Sequence, residues 1–266
     1  MNMSQIIQKL IENRIKSLRE QKENLDKISH LNVFPNRKKL SENIENKNKV
    51  SIIAEIKPAS PTLGLIRKTF NISNIAKKME KGGAIGLSII TEPTYFNGSF
   101  ENLIEAMNTS ILPCLMKDFI IDEIQMEIAK YVGVKNILLI NYLINIEKMF
   151  ELSLKYGLEP LVEIHKKEEL SDIEHLFEVG FKPKLIGVNN RNLKTLNTDL
   201  TTSTQLIPEV RNKFGEKVKI ISESGINTYK DIQFLQGTDV DAFLIGSSIM
   251  KSEDIVKKIR DLRGKK

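Results

Sequence analysis

VSIIAEIKPASPTLGLI, residues 50–66, begins as an apolar strand and ends in a carboxylate, a lysine and a Pro- and Gly-bounded loop that carries hydroxyls. Successive side chains of a strand point to opposite faces, so Ser51, Ile53, Glu55 and Lys57 share one face and Val50, Ile52, Ala54 and Ile56 the other. Glu55 and Lys57 therefore project together from the carboxyl end of a strand that reads as buried on both sides. Burying such a pair is costly unless geometry and partners compensate. Taken alone, the pair is open to two readings, a structural ion pair or part of a site.

Outward from this stretch the same pattern recurs. Short apolar runs begin near Ile52, Ala84, Ile111, Val134, Leu158, Lys184, Lys217 and Val240, and amphipathic segments of helical period lie between them, among them NISNIAKKMEKG, IDEIQMEIAKYVG, TDLTTSTQLI and EDIVKKIRDLRG. Several end in Gly, as a helix C-cap does. Eight strand-then-helix units predict an α/β fold, a closed (β/α)8 TIM barrel, rather than an open doubly wound sheet. The whole chain, 1–266, is expected to form one barrel domain, with 1–49 an N-terminal helical extension and 50–266 the barrel. Within the extension, Ser4 to about Ile28 reads as helix with Ser4 as N-cap, and His30 to Lys49, broken by Pro35, reads as a connection holding one short helix.

Composition narrows the class. The 266 residues are 41% hydrophobic and 28% charged, ordinary for a soluble globular protein. The net charge of +6 is spread, with Lys interleaved with Asp and Glu through the helical segments, which argues against a nucleic-acid surface. MNMSQIIQKLIENRIK is too charged for a signal-peptide core, and no apolar run approaches the roughly 20 residues of a membrane span, so a cytoplasmic protein is expected. It is expected to work as a monomer, or at most a weak homo-oligomer. The single cysteine, Cys114 in ILPCLM, reads as a small buried hydrophobe.

A barrel carries its site where strands end and βα loops begin. Those positions are Glu55 and Lys57, Lys117 after ILPCLM, Glu163 after EPLV, Asn189 and Arg191 after KLIGV, Glu223 and Ser224 after KVKIIS, and Gly246 and Ser247 after DAFLI. Strands seven and eight finish in Ser224-Gly225 and Gly246-Ser247-Ser248, where glycine lets backbone amides approach a phosphate and a short helix adds its dipole. Beside that phosphate, Glu55, Lys57, Lys117, Glu163 and Glu223 form a mixed-sign cluster suited to acid–base chemistry on a carbonyl or enamine. The sequence implies no metal and no nicotinamide, having no His/Cys ligand set and no GxGxxG. A Schiff base on Lys117 or Lys57 stays open in principle. His165, just past Glu163, reads as solvated; Met79, Met107 and Met126, at helical spacing, read as core. Phe96 and Phe119 sit on the rim, either as packing or as a wall for a flat ring.

In order, IIAEIKPASPTLGLI, TEPTYFNGSFENL, LPCLMKDFIID, GLEPLVEIH, LIGVNNRNLKT, IISESGI and AFLIGSSIM resemble the indole-3-glycerol phosphate synthase family over essentially the whole chain. The resemblance implies a lyase of tryptophan biosynthesis that closes the ring of 1-(2-carboxyphenylamino)-1-deoxyribulose 5-phosphate, releasing carbon dioxide and water, with no cofactor. It implies Lys117 as general acid at the ribulose carbonyl, Glu163 as its carboxylate partner, and Glu55 with Lys57 as the pair for dehydration. It implies Asn189 and Glu223 as hydrogen-bonding groups for the sugar hydroxyls, and Ser60, Arg191 and Ser224 as substrate contacts. Gly225, Gly246 and Ser247 would grip the phosphate, and Phe96 and Phe119 would wall the anthranilate pocket. Two rivals remain at this point. Another phosphate-binding barrel, such as phosphoribosylanthranilate isomerase or the tryptophan synthase alpha subunit, would need a Cys/Asp or Glu/Asp pair and not Lys117. A non-catalytic phosphometabolite-binding barrel would need the loops but not the rim charges.

Overall fold

Eight parallel strands close into a barrel in chain order: β1 (Ile52–Ile56), β2 (Gly86–Ile90), β3 (Cys114–Lys117), β4 (Asn136–Ile140), β5 (Glu159–Ile164), β6 (Leu185–Asn189), β7 (Lys219–Glu223) and β8 (Ala242–Ile245), with β8 pairing back onto β1. The computed structural model describes residues 8–9, 11–18, 38–44, 49–67, 70–192 and 195–265. Between the strands run α3 (Ile72–Gly82), α4 (Phe100–Thr109), α5 (Glu123–Val132), α6 (Ile146–Lys155), α7 (Leu170–Glu178), α8 (Thr201–Phe214) and α9 (Tyr229–Gln236); α10 (Ser247–Met250) and α11 (Ile255–Leu262) follow β8. Ahead of the barrel lie the helical segment α1 (residues 11–18) and α2 (Leu40–Asn43), the short helix expected between His30 and Lys49. The expected helix from Ser4 to Ile28 otherwise falls largely outside the described residues. No described helix is long and apolar enough to cross a membrane.

Local chemistry sets the helix ends. Asn71, Ser99 and Asp254 accept backbone N–H groups of the first turns they precede, and Gly83 and Gly133 close α3 and α5 in the left-handed region, at φ 95° and 84°. The strand alternation then separates two cores. Outward residues such as Ile52, Ala54 and Ile56 join the helices, with Met79, Met107, Met126 and Cys114, in the outer core, whereas Ile53, Leu115, Leu138, Leu161, Leu185, Ile221 and Leu244 fill the barrel interior. That interior is apolar only in its middle. Along β5 the inward face reads Glu159, Leu161, Glu163, with Glu159 opposite Asn136 of β4 and Glu163 opposite Gly187 of β6.

The sequence reading needs three corrections. The third strand starts at Cys114 and not at Ile111, which is 87% exposed ahead of Pro113. The segment read as TDLTTSTQLI continues through Pro208 to Phe214. A proline deletes one ladder hydrogen bond, and the burial of Leu206, Ile207 and Val210 under α8 outweighs that loss. The third is His165, whose side chain is buried beside Glu163.

Candidate active site

Glu55 ends the inward face of β1 between two ammonium groups, with Lys57 Nζ 2.7 Å from Oε1 and Lys117 Nζ 3.4 Å from Oε2. Gly246 at the end of β8 makes the room, because a Cβ there would stand 2.4 Å from Glu55 Oε1. Burial opposes ionisation of Glu55, but Lys57 and Lys117 override it and hold the carboxyl down at about 2. Burial likewise disfavours a charged Lys117, yet Glu55, Glu163 and Glu223 push it above the usual lysine range. Lys117 is therefore held as a protonated amine among carboxylates.

On the opposite wall Glu163 of β5 meets Glu223 of β7. Among the described residues no hydrogen-bond donor reaches Glu163 Oε2 or either oxygen of Glu223. Two buried carboxyls in contact cannot both ionise cheaply, so they divide. Burial and then the Glu163 charge push Glu223 well up, while Glu163, despite its own burial, is held down at about 2 by His165 and Lys117. Room for this pair also depends on a glycine, since a Cβ on Gly187 would stand 2.2 Å from Glu223 Oε1.

His165 is not the solvated side chain read from the sequence. It is 8% exposed, with Nε2 3.2 Å from Glu163 Oε1 and Nδ1 3.9 Å from Glu169 Oε2. The chain folds back after β5 and buries Glu169 beside it, a contact that charge density alone would place in solvent. The signal was present: Glu163 and His165 are two residues apart at a strand end, so they share a face.

The remaining loops form the other walls. Ser224 and Gly225 both take positive φ, 67° and 82°, so the chain doubles back after β7, and Ser248 Oγ donates to the Ile226 carbonyl at 3.1 Å, tying this loop to that of β8. Gly246 leads directly into α10, whose first amides have no acceptor within the helix. Asn189 Oδ1 accepts the Arg191 N–H at 3.0 Å, and Arg191 Nη1 donates to the Leu196 carbonyl at 2.6 Å. Asn190 anchors this corner from beneath: its Nδ2 donates to Ser222 Oγ and to the Glu223 and Ser224 carbonyls. Phe96 and Phe119 stand with ring centroids 6.2 Å apart, tilted by 52°. Buried Glu92 shapes the Phe96 loop by accepting the amides of Thr94, Tyr95 and Phe96.

One cleft, open to solvent, gathers all of the predicted positions: Glu55, Lys57, Ser60, Phe96, Lys117, Phe119, Glu163, Asn189, Arg191, Glu223, Ser224, Gly225, Gly246 and Ser247. The sequence reading missed the layer behind it. Arg14 of α1 makes a two-pronged ion pair with Asp118, Nε to Oδ1 at 2.8 Å and Nη2 to Oδ2 at 2.7 Å, both side chains fully buried, and Thr91 Oγ1 donates to the same carboxylate at 2.6 Å. Asp118 directly follows Lys117, so α1 is fastened to the end of the strand that carries Lys117. No periodicity marks a contact between residues so far apart. Among the described residues no group of three or more His, Cys, Asp and Glu side chains is arranged to hold a metal ion.

Residues 7–262 match the family model described as indole-3-glycerol phosphate synthase. The chain is 42% identical over 255 residues to the indole-3-glycerol phosphate synthase of Methanocaldococcus jannaschii, covering 93% of this chain and 90% of that protein. It is 40% identical over 230 residues to that of a Geobacillus species, covering 85% and 86%. Among solved structures it is similar to a thiamine phosphate pyrophosphorylase from Pyrococcus furiosus, with a TM-score of 0.57 at 15% identity, covering 82% of this chain and 96% of that one, a likeness of fold alone.

Proposed function

The chain belongs to the indole-3-glycerol phosphate synthase family, and from that premise we propose how its cleft carries out the family's reaction. The enzyme converts 1-(2-carboxyphenylamino)-1-deoxyribulose 5-phosphate to indole-3-glycerol phosphate, carbon dioxide and water. The observation that carries the residue assignment is the position of Lys117, a protonated amine held between Glu55 on one side and the Glu163–Glu223 pair on the other.

In ring closure the aromatic carbon bearing the carboxylate attacks the ribulose ketone, and Lys117 gives its proton to the carbonyl oxygen as that oxygen becomes a hydroxyl. Ionised Glu163 stabilises the positive charge that builds on the substrate nitrogen. The carboxylate then leaves as carbon dioxide and aromaticity returns. Loss of the hydroxyl as water needs a proton delivered to it and another removed, and Lys57 with Glu55, 2.7 Å apart, supplies such an acid–base pair. Asn189 and protonated Glu223 hydrogen-bond the sugar hydroxyls. Ser60, Arg191 and Ser224 hold the substrate, and Gly225, Gly246 and Ser247 grip the phosphate, whose binding energy positions the reacting carbons. Phe96 and Phe119 wall the pocket for the anthranilate ring. On the same reading the enzyme works as a monomer in the cytoplasm.

Incubation of purified protein with the substrate, without added metal or cofactor, is expected to yield indole absorbance and fluorescence, with no competing indole signal from the chain, which has no tryptophan. Lys117→Ala is expected to lower kcat by about 10³-fold or more while substrate still binds, and full activity in that variant would refute the role given to the lysine.

A further inference from the structure

Beside Glu163, just past the carboxyl end of β5 and outside the lining of the cleft, His165 and Glu169 form a buried cluster that the reaction described above does not use. A neutral imidazole has one N–H and one lone pair. With a carboxylate facing each ring nitrogen, Glu163 Oε1 at 3.2 Å from Nε2 and Glu169 Oε2 at 3.9 Å from Nδ1, one of the two would meet the lone pair and be repelled. Neither ring nitrogen makes a hydrogen bond at these distances and angles, and only the positively charged imidazolium is attracted to both carboxylates.

The surroundings leave little else to balance these acids. Glu169 is 4% exposed, and neither of its oxygens has a hydrogen-bond donor among the described residues. Opposite Glu163, β4 contributes Ile140 and β6 contributes Gly187, neither charged. Lys117 of β3 and Glu223 of β7 are the charged groups that face Glu163 from across the barrel. Asp172, on the helix after Glu169, is engaged by Asn141 Nδ2 at 2.7 Å.

We infer that His165 is a positioning residue for Glu163: held as an imidazolium between the carboxylates of Glu163 and Glu169, it keeps Glu163 ionised, so that the proton of the Glu163–Glu223 pair stays on Glu223. This rests on the proposed role of Glu163 as the charged partner of Lys117 and adds how that charge is fixed. Glu163 is then always an acceptor and Glu223 always a donor, a division of roles that two like carboxyls facing one another would not settle by themselves. In support, burial alone would lower the His165 pKa, and the two carboxylates instead push it up to about 9.

The first test needs no variant in the site. With three histidines in the chain, imidazole carbon and nitrogen resonances are readily assigned, and His165 of the wild-type protein is expected to carry both ring protons at pH 7.5 and to titrate near 9. Glu169→Gln is expected to lower that value by about one unit or more. The second test is kinetic. His165→Asn keeps a hydrogen-bonding side chain and removes the charge, and is expected to lower kcat at pH 7 by about 10-fold or more with KM little changed. The deficit should shrink as pH rises, because Glu163 then ionises without help. A His165 that titrates at or below 6.5, or a His165→Asn profile that runs parallel to wild type at every pH, would overturn the inference. Glu163→Gln separates this idea from the proposed function. Wild-type turnover there would refute the role of Glu163, while the His165 titration in the same variant tests the pairing by itself: a fall of about one unit or more supports it and an unmoved value overturns it.

Discussion

Glu159 and Glu163 stand on the same face of the same strand, four residues apart, and meet opposite fates. Glu159 lies at the floor of the barrel, where Oε1 accepts from the Ser41 amide at 3.2 Å and Asn136 Nδ2 at 2.9 Å, and Oε2 accepts from Ser41 Oγ at 2.7 Å. Asn136 also accepts the Leu40 amide at 2.8 Å, so α2 plugs the floor with its own backbone and leaves those carboxylate oxygens supplied with donors. Glu163 lies at the rim, with one oxygen beside a histidine and the other lacking a donor, facing a second carboxyl. Both are buried. What distinguishes structure from chemistry here is whether the chain itself supplies the hydrogen-bond partners, not the residue type or its depth.

Exchanging each glutamate for its amide puts that contrast to a direct test. Glu163→Gln is expected to lower kcat by about 10²–10⁴-fold and to cost about 1 kcal/mol of stability, since it removes the charge that His165 and Lys117 face. Glu159→Gln is expected to leave kcat within about twofold and to reduce unfolding free energy by about 2 kcal/mol, because an amide cannot accept from every donor around it. The pair fails if urea unfolding and turnover respond alike in the two variants.

Gly246→Ala probes the rim from the other side. Its new methyl would collide with Glu55 Oε1, and a displacement of about 1 Å in that carboxylate is expected to cost about 10²-fold in kcat with the barrel still folded. A circular dichroism spectrum unchanged from wild type beside undiminished turnover would remove Glu55 from the chemistry.

Stability against pH should also follow the rim and not the floor. His165 has its pKa raised from 6.5 to about 9, so the folded state binds more protons than the unfolded one between those values. Its contribution is complete below 6.5 and disappears as pH rises through 9, so unfolding free energy is expected to fall by about 2.5 kcal/mol between pH 7 and 10. His165→Asn should lose that component, measured as the difference between the two denaturation midpoints at each pH. Smallest of all, Ser41→Ala at the floor should cost about 1 kcal/mol at every pH tested, since Ser41 is not titratable.

The rim was legible from sequence because it obeys two short-range rules, alternation along a strand and the placement of sites at strand ends. Glu55 with Lys57, Lys117, Glu163 and Glu223 all follow from them. The floor was not: Glu159 reads as the polar start of EPLV, and only its contact with Ser41, 118 residues away in sequence, gives it a purpose. His165 was placed on the right rim but in the wrong medium, since the fold-back that buries Glu169 is a tertiary event. Pro208 misled for the same reason, because the packing of α8 outweighs a local preference to stop.

The clamp between Arg14 and Asp118 also has a consequence for how the protein is made. The two residues are 104 positions apart, so at about 5–20 residues per second the ribosome releases Arg14 roughly 5–20 s before its acid exists. The barrel cannot close sooner, since Ile53 of β1 must wait for Leu244 of β8. A nascent chain thus carries Arg14 without this partner through the synthesis of its first three strands, and acquires it one residue after Lys117.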